Sequence, residues 1–71
     1  MPERFKAYAY DKRAFLYAAF DLVCQKLGLD AHVLSRETRN QIGNAIISAM
    51  QAGHETTDDI VREALKKLNA A

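Results

Sequence analysis

The side chains that could do chemistry in this chain are few, and their spacing limits what they can do. Cys24, His32 and His54 are the only cysteine and histidines among 71 residues. A zinc site built on them would still need a carboxylate, and their intervals match no zinc-ligand pattern. Nucleophilic catalysis lacks a frame as well. The single cysteine has no paired-histidine signature, and Ser35 and Ser48 stand outside any G-x-S-x-G turn. Asp58 and Asp59 are adjacent, so on a helix they point in different directions. They suit the positive end of a helix dipole better than acid–base work. The expectation is a chain with no catalytic residues, no metal, no cofactor and no small-molecule substrate.

A second set of side chains has the chemistry of recognition. Arg36, Arg39, Asn40 and Asn44 fall in one stretch, "SRETRNQIGNAI". Arginine can read guanine edges and asparagine adenine edges. The first residues add Arg4, Lys6, Lys12 and Arg13, interleaved with Phe5, Tyr8 and Tyr10. Arms of this composition can enter a groove or stack on bases. The run "QKLGL" followed by "SRETRNQI" resembles parts of a bacterial helix-turn-helix, carried by Leu27, Gly28, Leu29, Ser35, Arg36, Glu37 and Thr38. The resemblance implies a recognition helix opening at Ser35, with four extra residues, "DAHV", lengthening the turn.

The charge balance points elsewhere. Ten Lys and Arg stand against nine Asp and Glu, a net charge of +1. Nucleic-acid binders are usually far more basic. A protein partner is therefore the favoured expectation, with Gly43, Ile47 and Met50 as its candidate surface. They lie beside one another on a helix, a glycine permits close approach, and methionine is enriched in interface cores. The rival expectation is a nucleic-acid-binding regulator using Arg4, Lys6, Arg36, Arg39, Asn40 and Asn44.

Three helices would position these groups, near residues 11–27, 36–52 and 57–69, forming one compact all-α domain. In the first, Phe15, Leu16, Ala19, Phe20, Val23 and Leu27 share one broad face, widened by Tyr17 and Cys24. Asp11 is its expected N-cap and Gly28 its C-terminal stop. Ser35 caps the second, whose core face is Ile42, Ala45, Ile46, Ala49 and Met50. Gly43 inside it costs about 1 kcal/mol relative to alanine, an expense that a closely packed backbone would explain. Thr56 or Thr57 caps the third, where Ile60, Val61, Ala64, Leu65 and Leu68 form the stripe. The tail "NAA" is expected to fray.

Residues 1–10 form an arm. In "RFKAYAY" polar and apolar residues alternate, which is a strand signal, yet a lone strand cannot make a sheet. The arm is expected either to lie extended on the bundle or to pair between chains. A single cysteine excludes an intrachain disulfide and suggests a reducing compartment. "MPERFKAYAY" has no secretion-signal apolar core, and no apolar run reaches membrane-spanning length, so a cytoplasmic, non-membrane protein is expected. A chain this short is marginally stable alone, and a homodimer is a natural remedy.

Overall fold

Each of the three apolar stripes becomes a helix. The computed structural model describes residues 2–69, without the side chain of Glu3, and holds α1 (Tyr10–Leu27), α2 (Arg36–Gln51) and α3 (Thr57–Asn69). Met1 of the expected arm and Ala70 and Ala71 of the expected tail lie outside the described residues.

The caps explain the boundaries. Gly28 stops α1 in the left-handed region at φ 71°. Its N–H donates to the Gln25 carbonyl at 3.2 Å, and the Leu29 N–H donates to that of Cys24 at 2.9 Å. This pair of bonds satisfies carbonyls that the helix end would otherwise orphan. At the start of α1 the expectation needs correcting. Ala9 occupies the cap position with no side-chain bond, and Asp11 sits inside the first turn, where its charge suits the dipole. Ser35 caps α2, its Oγ accepting the Thr38 N–H at 3.1 Å. Thr56 caps α3, its Oγ1 accepting the Asp59 N–H at 3.1 Å. Residues 28–35 separate α1 from α2, so the tight turn of a helix-turn-helix is not formed. A local turn fills that connection, with Asp30 Oδ1 accepting the His32 N–H at 2.9 Å.

The helices meet on a single core. α2 packs most extensively on α3, and both pack on α1. Leu16, Ala19, Phe20, Val23 and Cys24 of α1 meet Ile42, Ala45, Ile46 and Ala49 of α2 and Ile60, Val61 and Ala64 of α3. Among the described residues no helix is long and apolar enough to cross a membrane.

The N-terminal arm is the fourth structural element. Its expected alternation gives way to a short 3-10 helix over Glu3–Ala7, flanked by extended residues at Pro2, Tyr8 and Ala9. The Phe5 N–H donates to the Pro2 carbonyl and the Tyr8 N–H to the Phe5 carbonyl, both at 3.2 Å. With no ladder available, these local bonds satisfy backbone groups that a lone strand would leave unpaired. Of the alternating apolar positions only Phe5 turns into the core. It is fully buried, 5.9 Å from the Tyr17 ring and edge-on to Phe20 at 6.3 Å. Such burial and ring geometry contribute about 2–4 kcal/mol before ordering costs. Phe5 thus covers part of the unusually broad face of α1.

This packing also corrects the expected protein surface. Gly43 and Ile47 are buried, and Met50 is half-buried. A Cβ built on Gly43 would stand 2.4 Å from Cβ and 2.5 Å from Cγ of Pro2. The close neighbour that Gly43 requires is this chain's own N-terminal segment, leaving no patch of Gly43, Ile47 and Met50 open to a second protein.

Candidate functional site

The residues selected for nucleic-acid contact divide into two groups. Arg4 and Asn44 come together, Arg4 Nη1 donating to Asn44 Oδ1 at 3.0 Å. Around Asn44, Gln41 and Ser48 of α2 and Lys67 and Leu68 of α3 line a shallow depression of about 370 Å³. Lys6 and Arg36 are exposed, and Asn40 is half-buried. Arg39 belongs to another face. It is half-buried and lines a depression of about 490 Å³ with Tyr17 and Asp21 of α1 and Ala31 and His32 of the following connection.

That depression belongs to a longer strip that sequence reasoning did not assemble. Tyr10, Arg13, Ala14 and Tyr17 line a second hollow of about 250 Å³, and Tyr17 forms a wall of both. Tyr10, Arg13, Ala14, Tyr17 and Asp21 fall within about 100° of arc at 100° per residue, so they form one edge of α1. The signal was present as this spacing. It was hidden because Tyr17 also fits the apolar face and Arg13 fits a basic arm.

The polar chemistry of the strip is unfinished. Arg13 is half-buried, and its Nε is sealed from solvent without a hydrogen-bond partner. Among the described residues the side chains of Arg13 and Arg39 form no hydrogen bond or ion pair, whereas Arg4 bonds Asn44 and Arg62 lies 4.0 Å from Asp59. The Asp21 carboxylate likewise forms no hydrogen bond or ion pair, although it shares a depression with Arg39. A sealed donor without an acceptor costs about 1–3 kcal/mol, so the fold tolerates a penalty here. At the head of the strip Tyr10 is 82 % exposed.

The candidate soft ligands are dispersed. Cys24 is buried, and its thiol is pushed up from its ordinary pKa by burial and, secondarily, by the charge of Asp21. His32 is exposed in the α1–α2 connection, and His54 Nε2 lies 3.9 Å from Glu63 Oε2. Among the described residues no three of His, Cys, Asp and Glu gather as a metal-binding group. Comparison with protein-family models, curated proteins and solved structures finds no match to this chain.

Proposed function

We propose that this chain is a small non-catalytic helical module that acts by binding a protein, and that the strip along α1 is its contact surface. One observation carries the reading: two half-buried arginines whose side chains have no hydrogen-bond or ion-pair partner among the described residues, Arg13 and Arg39, line the two hollows that meet at Tyr17. Tyrosine and arginine dominate the energetics of protein interfaces, since each combines a large apolar body with directional donors. The exposed Tyr10 ring extends the same strip. The test places a photo-crosslinking amino acid at Tyr10 and, as control, at Lys66 on α3. A protein adduct from Tyr10 alone, resistant to nuclease, is the expected result. Adducts only to nucleic acid, or none from Tyr10, overturn the reading.

A second reading has its own support. Arg4 bonded to Asn44, with Gln41, Ser48 and Lys67 beside them, makes a polar surface with cations from two elements. A nucleic-acid-binding regulator would use this face of α2 and the N-terminal segment. Arg4→Gln with Lys6→Gln would then weaken binding uniformly across sequences and flatten its salt dependence in a gel-shift titration. No shift at micromolar protein in low salt removes this reading.

A further inference from the structure

The strip on α1 has a self-complementary arrangement. Arg13 and Asp21 are each four residues from Tyr17, one on either side, on the same edge of the helix. The side chain of each lacks a hydrogen bond or ion pair among the described residues. They cannot satisfy one another within a chain, since eight residues of helix separate them by about 12 Å. A second α1 laid antiparallel, with the two-fold axis at Tyr17, reverses the order and sets each cation opposite an acid.

We propose that the occupant of this strip is a second copy of the chain, with the two α1 helices antiparallel, Tyr17 against Tyr17 at the axis, and Arg13 of each copy against Asp21 of the other. This rests on the reading of the strip as a protein-binding surface and names its partner. Exposed Ala14, beside Tyr17 on the same edge of each copy, lets the helices approach closely. Tyr10, at the end of the strip, falls opposite the exposed Gln25 region of the other helix. Isologous two-fold contacts of this kind are the commonest form of self-association. Arg39 and His32 also line the depression around Asp21, so an arriving guanidinium meets one competing cation and an imidazole. The charged pair therefore fixes register and direction, and the tyrosines and alanines supply most of the attraction. The contact is one helix edge wide, which places it among weak interfaces, with dissociation in the micromolar range or above.

Complementation between two variants tests the arrangement. Arg13→Glu alone sets acid against acid at both ends, and Asp21→Lys alone sets cation against cation. Mixed together, the two chains restore an opposite-charge pair at both ends. In sedimentation equilibrium up to millimolar protein, the unmodified chain is expected to rise from its 8.0 kDa monomer mass towards twice that value. Each variant should associate at least about ten-fold more weakly, and the equimolar mixture should recover association. Arg62→Glu on α3 is the control and should associate like the unmodified chain.

A monomer at every concentration overturns the proposal, as does a dimer indifferent to both variants, or a mixture no stronger than its components. Circular dichroism verifies folding of each variant. If either charge reversal unfolds the chain, the neutral variants Arg13→Gln and Asp21→Asn replace it, and dimers unaffected by both overturn the pairing. A protein adduct at Tyr10 from a chain that stays monomeric rejects the second copy while keeping the protein-binding reading.

Discussion

Arg13 carries a guanidinium whose Nε is shut off from water with no hydrogen-bond partner among the described residues. Folding thus gives up its hydration without return, and a long apolar side chain should suit the monomer better. Arg13→Met keeps the unbranched stem and removes the donor. It is expected to stabilise the isolated chain by about 1 kcal/mol in urea melts at dilution. A loss of more than about 1 kcal/mol would mean that the guanidinium is satisfied in solution. Cys24 makes a contrasting case, because its chemistry is suppressed by burial. Its folded pKa lies above its unfolded value, so the native state holds the thiol proton more tightly. The linked stability is complete below the unfolded pKa and is lost as pH rises through the folded one. Unfolding free energy should fall on the alkaline side of the ordinary thiol pKa, and Cys24→Ala should remove that part of the slope. Alkylation of Cys24 should likewise proceed only as fast as the chain opens.

At the scale of elements, the helices were legible in the sequence because each repeats its apolar positions and carries local punctuation. Ser35, Thr56 and Gly28 mark ends by chemistry confined to a few neighbouring residues. The N-terminal segment was not legible in the same way. Its alternation is a backbone-period signal, whereas its conformation is decided by tertiary contacts, above all Phe5 packing on Tyr17 and Phe20. Gly43 announced a close neighbour without naming it, and Pro2 proved to be that neighbour. Phe5→Ala should therefore cost about 3 kcal/mol, as for a core aromatic. A cost under about 0.5 kcal/mol would mean that the segment is not docked. Gly43 gives a sharper check. Gly43→Ala gains about 1 kcal/mol of helix propensity, but its new methyl would meet the Pro2 ring. The net effect should be destabilising in the natural chain and stabilising in a Pro2→Gly background, where the ring is gone. The same sign in both backgrounds would refute the contact.

For the whole molecule, the N-terminal segment changes where association can occur. Two surfaces that the sequence offers to a partner, the strand-like arm and the Gly43 patch, turn inward, with Pro2, Phe5, Gly43 and Ile47 buried within the chain. Ile47→Glu would therefore place a carboxylate in a fully buried site and should unfold the domain rather than split a dimer. The edge of α1 remains, and it was hard to read because its members serve two purposes. Tyr17 touches Phe5 on one side and walls two hollows on the other, so periodicity assigns it to the core. Association through this edge has a consequence beyond mass. A chain of 71 residues buries a small fraction of its surface and has little stability in reserve. A partner that binds only the folded form adds stability in proportion to the logarithm of concentration. The thermal midpoint of the unmodified chain should therefore climb as protein concentration is raised through the dissociation constant. That of Arg13→Glu should stay flat over the same range. Parallel climbs in both would place the stabilising contact away from Arg13, and two flat profiles would leave the folded monomer as the species that meets its partner.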